Sequence, residues 1–165
     1  MKRAYLSLGS NLGDRFARLR QALDGLTAAG ARVRRTSSYY RTQPVDFLPQ
    51  AWFLNCVAEV ETDLMPRQLL RECQAVERAA GRRSGVPKGP RPIDVDILLY
   101  ENVVIRSREL IVPHERLAER RFVLLPLTEL APSARHPGLD LTARELLHHT
   151  QDRSQVIKLR SESRP

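Results

Sequence analysis

The stretch Gly89-Pro90-Arg91-Pro92-Ile93-Asp94-Val95-Asp96-Ile97-Leu98-Leu99-Tyr100 places two acids one residue apart in an otherwise apolar run. From Ile93 onward the residues are β-branched or apolar, which favours a strand. Strand side chains alternate between faces, so Asp94 and Asp96 share one face, roughly 6.5–7 Å apart along the backbone. Ile93, Val95, Ile97 and Leu99 are expected on the other face. Two adjacent carboxylates repel one another, and burying them unpaired is costly. A hard divalent ion such as Mg2+ suits such oxygen donors and completes its shell with water and phosphate oxygens. Just upstream, Arg82, Arg83, Lys88 and Arg91 lie in a segment broken by Gly81, Gly85, Pro87, Gly89, Pro90 and Pro92. Acids for a metal beside a basic loop for phosphate are the equipment of phosphoryl transfer, where catalysis is mostly positioning and charge neutralisation. An isolated Asp-x-Asp reads more simply as exposed acids paired with arginines; the cluster of cations favours the metal. Residues 82–92 hold little that could pack, so the segment is expected to be mobile and to close over nucleotide.

These groups need elements to hold them. Ala4–Leu8 reads as a short strand, followed by a turn through Gly9-Ser10-Asn11-Leu12-Gly13-Asp14 into a helix with Phe16, Leu19, Leu23 and Leu26 at helical spacing. Asn11 is the expected N-cap, with Asp14 as its capping-box acid. The turn matches neither G-x-x-x-x-G-K-[ST] nor G-x-G-x-x-G. Val33–Thr42 is β-prone, and Gln43–Ala51 is a loop. Phe53–Thr62 is a strand whose Leu54, Cys56, Ala58 and Val60 face the core. Phe53 and Asn55 share its opposite face, where a ring and an amide could stack on and read a flat heterocycle. Pro66 suits the first position of a second helix, on which Gln74 and Glu77 are i, i+3 neighbours, and Gly81 ends it. After the Asp-x-Asp strand, Val103–Ile105 and Leu110–Val112 suggest a hairpin. Phe122–Leu130 suggests a short helix or strand interrupted by Pro126, Leu141–Thr150 a last helix, and Gln155–Leu159 an edge strand. The order strand, helix, strand, strand, helix, strand predicts an α+β, ferredoxin-like split βαβ sandwich with an antiparallel sheet. A C-terminal hairpin and helices are added to it.

At 165 residues the chain is expected to form one domain, over residues 1–159, with 160–165 as a frayed tail. Its net charge of +8 favours anionic partners without choosing among nucleotides, nucleic acid and membrane surfaces. Cys56 and Cys73 lack metal-type spacing and are expected to be buried and reduced, as in a cytoplasmic protein. Neither a signal-peptide core nor an apolar run near the length of a membrane span is present, so a membrane partner is not expected.

Taken together the motifs are recognisable. Leu8-Gly9-Ser10-Asn11-Leu12-Gly13-Asp14, Ser38-Tyr39-Tyr40-Arg41-Thr42-Gln43-Pro44, Phe53-Leu54-Asn55, Glu77 with Gly81-Arg82, Gly89-Pro90-Arg91-Pro92-Ile93-Asp94-Val95-Asp96, and Val112-Pro113-His114 followed by Arg120 and Phe122 occur in that order. In this the chain resembles the 6-hydroxymethyl-7,8-dihydropterin pyrophosphokinase family of folate biosynthesis, from about residue 4 to about residue 130. The resemblance implies transfer of a pyrophosphoryl group from ATP to the hydroxymethyl group of the pterin, with release of AMP. It implies two Mg2+ ions on Asp94 and Asp96, with Arg82 and Arg91 joining these acids as catalytic residues. Phe53 and Phe122 would sandwich the pterin, Asn55 would hydrogen-bond it, and Thr42, Pro44 and Val45 would add contacts. ATP would meet Gln74, Glu77, Arg82, Arg91, Ile97, His114 and Arg120. A monomer is expected. The alternative is a ferredoxin-like nucleic-acid-binding module. Such RNA-binding sheets need exposed stacking aromatics, whereas aromatic residues make up 5% of this chain and two acids lie mid-sheet.

Overall fold

The computed structural model describes residues 1–44, 49–81 and 91–160. The sheet is antiparallel throughout and is built on β1 (Lys2–Ser10), which pairs with β4 (Phe53–Thr62) on one side and β5 (Asp94–Tyr100) on the other. The far edge of β4 is shared. Its first residues pair with β3 (Tyr40–Thr42) and its later ones with β2 (Ala31–Thr36). The central strand is buried from Ala4 to Ser10, with strands on both sides and helices over both faces of the sheet. On one face lie α1 (Arg15–Ala28) and α2 (Pro66–Ala79), packed over Leu6, Leu8, Leu54, Cys56, Val60, Ile93, Val95 and Ile97. On the other lie α3 (Arg121–Leu130) and α4 (Ala143–His149), packed over Tyr5, Val57, Leu98 and Leu99. The split βαβ order and the antiparallel sheet are those expected. Cys56 and Cys73 are free and buried, and burial pushes the Cys73 thiol up to about 12.

Four local readings of the sequence change. Asn11 does not cap α1. Asp14 does, accepting from the Ala17 amide at 3.1 Å, because Gly13 in a left-handed turn (φ +74°) prolongs the loop and delays the helix. Leu99 does not share a face with Ile97. The β1–β5 register steps from Leu6↔Ile97 to Tyr5↔Leu99. Leu98 is therefore the extra residue of a bulge, and Leu98 and Leu99 both meet α3 while Tyr100 returns to the first face. Pro126 does not interrupt α3. A proline at the sixth of ten helical positions forfeits one backbone bond, and burial of Val123, Leu124, Leu127 and Leu130 holds the helix regardless. Finally, α4 starts at Ala143 with Thr142 as its cap, because Leu141–Thr142 pairs with Arg135–His136 in a small hairpin, β8 and β9. The hairpin between them and β5, β6 (Ile105–Arg106) and β7 (Ile111–Val112), is where it was expected. A last strand, β10 (Val156–Lys158), pairs with β3.

Candidate active site

α3 and its neighbours cover only part of their face of the sheet. The uncovered part is the floor of a cavity of about 370 Å3. Register dictates what stands there. One row across the sheet runs Tyr40, Asn55, Gly9, Asp94, and the next brings Ser7 opposite both Val57 and Asp96. The acids thus lie beside the two smallest side chains on this face of β1, Ser7 and Gly9, which leave depth above the sheet. A Cβ at Gly9 would collide with the Asn55 carboxamide and stand 3.5 Å from the Phe53 ring. Asn55, 4% exposed, donates to the buried Thr42 hydroxyl and so is fixed in the floor.

The cavity is walled by Thr42, Gln43, Pro44, Gln50, Phe53, Arg91, His114, Arg120 and Phe122. Arg91 Nη1 donates to Asp94 Oδ2 at 3.0 Å, while its guanidinium carbon lies 6.0 Å from the Phe53 ring centre. Arg120 lies 5.5 Å from the ring centre of Phe122. Each aromatic ring is thus flanked by a permanent cation. His114 Nε2 stands 3.9 Å from Asp96 Oδ2, and His114 Nδ1 accepts from the Arg116 amide at 3.1 Å. An accepting Nδ1 in a neutral ring leaves the proton on Nε2, toward Asp96. Burial, followed by the charge of Arg120, lowers the His114 pKa and favours the neutral ring.

A second cavity of about 300 Å3 adjoins the first through Asp96 and His114, and adds Leu70, Val95, Ile97, Leu110 and Ile111 together with the charged Arg108, Glu109, Glu115 and Arg116. The structure therefore brings Thr42, Pro44, Phe53, Asn55, Phe122, Arg91, Asp94, Asp96, His114 and Arg120 together, with Ile97 next door. Glu77 reaches from α2 to accept the Val95 amide at 2.9 Å, fixing β5 between its two acids. Gln74 is exposed on α2 and lines neither cavity. Val45, Arg82 and most of the proposed closing loop lie outside the described residues.

Asn11 has a part that its sequence position did not suggest. Its carboxamide oxygen accepts from the Arg91 amide at 2.7 Å, and its own amide donates back to the Arg91 carbonyl at 3.1 Å. Its carboxamide nitrogen holds Gln50 and the Ala51 carbonyl. One side chain thus pins two walls of the cavity. The signal available in the sequence, an Asn in a Gly-rich turn, fits a helix cap equally well.

Among the described residues no group of three or more His, Cys, Asp or Glu could hold a metal. Asp94 and Asp96 are instead a hard, oxygen-only pair open to a cavity, which fits an ion that completes its shell with water and substrate oxygens.

The sequence profile of a family described as 7,8-dihydro-6-hydroxymethylpterin-pyrophosphokinase (HPPK) matches residues 5–132. The chain is 45% identical over 161 residues to the folic acid synthesis protein fol1 of Schizosaccharomyces pombe, covering 97% of this chain and 22% of that protein. It thus spans about a fifth of that fungal protein. It is 48% identical over 128 residues to the 2-amino-4-hydroxy-6-hydroxymethyldihydropteridine pyrophosphokinase of Bacillus subtilis, covering 77% of each. A solved structure of Plasmodium falciparum HPPK-DHPS superposes with a TM-score of 0.71 at 17% identity, covering 89% of this chain and 42% of that one. At that identity the likeness is one of fold.

Proposed function

This chain belongs to the 7,8-dihydro-6-hydroxymethylpterin-pyrophosphokinase family, and from that premise we propose that it transfers pyrophosphate from ATP to 6-hydroxymethyl-7,8-dihydropterin, giving the pterin diphosphate and AMP. The observation that carries this reading is the division of one cavity. Phe53, Asn55 and Thr42 line it on the β4 side of β1 and Asp94 and Asp96 on the β5 side, while Arg91 and Arg120 stand beside the Phe53 and Phe122 rings. A flat heterocycle with donors and acceptors along its edge suits the first part. Phe53 and Phe122 would stack on it, Asn55 would hydrogen-bond it, and Thr42 and Pro44, with Val45, would close its rim. A polyphosphate suits the second part. Arg91, Arg120 and His114, with Arg82, would bind its oxygens, and the neighbouring cavity at Ile97 would take the apolar part of the nucleotide.

Asp94 and Asp96 would hold two Mg2+ ions, which when bound would neutralise charge on the phosphate oxygens. The protein's own contribution is position. Asn11 fixes the Arg91 backbone, and Arg91 meets Asp94 at the boundary between the two parts. Glu77 acts on the site through the Val95 amide, and Gln74 would contact nucleotide only from the margin. We further propose that one domain over residues 1–159 suffices, acting as a cytoplasmic monomer. Among the described residues no helix is long and apolar enough to cross a membrane.

The test is incubation of the purified chain with ATP, Mg2+ and the pterin, followed by chromatography of the products. Stoichiometric AMP and pterin diphosphate are expected. ADP in place of AMP, or no pterin-dependent turnover, would refute the assignment.

A further inference from the structure

Phe122 and Arg120 enter the cavity from the start of α3, whereas Thr42, Gln43 and Pro44 enter it from the end of β3. Glu129, near the far end of α3, accepts from Ser38 and Tyr40 and ties that end to β3. The end that carries Phe122 is tied there by the C-terminal segment. Arg120, the residue before α3, has no acceptor with which to cap the helix. Asp152 caps it from a distance, and its Oδ2 accepts from the Arg121 amide at 2.8 Å. Its Oδ1 accepts from the Ser154 amide at 2.9 Å, which folds the segment back. Gln155 then grips Gln43 twice. Its carbonyl accepts from the Gln43 amide at 3.0 Å, and its amide donates to Gln43 Oε1 at 3.2 Å. Val156 pairs directly with Thr42 in the β10–β3 ladder, and the Leu159 amide donates to the Tyr39 carbonyl. Within a few residues the segment is therefore bonded to both elements that present the aromatic part of the cavity.

We propose that residues 150–159 form a strap that sets the spacing between the Phe122 end of α3 and the Thr42–Pro44 end of β3, with Asp152 as a positioning residue for the pterin. The proposal rests on the pterin reading of the cavity. None of these residues lines the cavity, so none touches substrate, and all lie beyond the stretch matched by the family profile. Without a cap, the first turn of α3 would lose a partner for its leading amide and fray. Phe122 is the second residue of that turn. A flat ring gripped between two aromatic surfaces tolerates little change in their separation. Of the nucleotide contacts proposed above among the described residues, only Arg120 enters from this end of α3, so the larger effect should fall on the pterin.

The experiment compares Asp152→Ala, Asp152→Asn and Gln155→Pro with wild type by titration calorimetry, using the pterin and a non-hydrolysable ATP analogue with Mg2+. Asp152→Ala is expected to weaken pterin binding at least fivefold and analogue binding less than threefold. Asp152→Asn keeps an oxygen for the Arg121 amide and should recover most of the loss. Gln155→Pro removes the amide donated to Gln43 Oε1 while every residue that lines the cavity keeps its identity, and should weaken pterin in the same selective way. It carries the test if Asp152→Ala does not fold. Pterin affinity within twofold of wild type in both Asp152→Ala and Gln155→Pro would overturn the strap alone, as would equal losses for the two ligands. A wild type that fails to bind the pterin would overturn the cavity reading and the strap with it.

Discussion

At the scale of single residues the site depends on what β1 lacks. Gly9 lies between Asn55 and Asp94 in the sheet, and any side chain there meets the Asn55 carboxamide. Overpacking of this kind costs about 1–3 kcal/mol, and here the side chain that must yield is the one proposed to read the pterin. Gly9→Ala should therefore weaken pterin binding by roughly tenfold or more and leave the ATP analogue nearly unaffected, as calorimetry would show. The acids should behave differently. Asp94→Asn or Asp96→Asn removes a proposed anionic metal donor, and metal stabilisation of transferring phosphate is worth several kcal/mol, on the order of a thousandfold in rate. Each variant should keep the wild-type circular dichroism spectrum and lose turnover by about that factor; activity near wild type at saturating Mg2+ would exclude the metal assignment. Strand alternation alone made Asp94, Asp96, Phe53 and Asn55 legible as facing pairs. It said nothing of Ser7, Gly9 or Asn11, whose meaning depends on which strands and loops they meet across long sequence separations.

At the scale of elements, periodicity placed α1, α2 and β4 well, because each turns a regular apolar face to the same core. It failed where an irregularity decides the packing. The bulge at Leu98 moves Leu99 to the opposite face of the sheet, and no local signal in Asp94–Tyr100 marks it. α3 was legible only as an ambiguous apolar run, since nothing local says that a partner on β3 will secure it. That partner is reached through Glu129. It accepts from the Ser38 amide at 2.9 Å, the Ser38 hydroxyl at 3.0 Å and the Tyr40 hydroxyl at 2.5 Å. Glu129→Ala would strand these donors at the α3–β3 junction. A loss of roughly 1–3 kcal/mol in urea unfolding is expected. Glu129→Gln keeps one acceptor oxygen and should lose less; identical stabilities in the two variants would assign the effect to lost packing rather than to lost hydrogen bonds.

At the scale of the whole molecule, the +8 charge read from the sequence suits a polyphosphate substrate, but it also makes the fold vulnerable to acid. Each protonated carboxylate adds to the self-repulsion, and three of the carboxylates join separate elements. Arg35, with help from the Tyr5 hydroxyl, holds Glu59 below its ordinary 4.5 and ties β4 to β1 and β2. Burial alone would raise Glu129, yet bonds from Tyr40 and Ser38 outweigh it and hold this carboxyl below 4.5 as well. Burial is likewise outweighed at Asp152, which bonds from Ser154 and Arg121 hold below 3.8. For groups whose folded pKa is depressed, the unfolded chain takes up protons first. Their contribution is complete above the ordinary carboxylate range and is lost as pH falls through it toward the folded values. Stability from urea unfolding should therefore be level just above that range and fall steeply below about pH 4.5. Added salt should slow the fall by screening the positive charge. In Glu59→Gln the slope below pH 4.5 should be shallower than in wild type, because one proton-linked tie is gone. A variant curve parallel to wild type at lower stability would mean that Glu59 contributes packing alone, and that the acid limit is set by net charge rather than by these three ties.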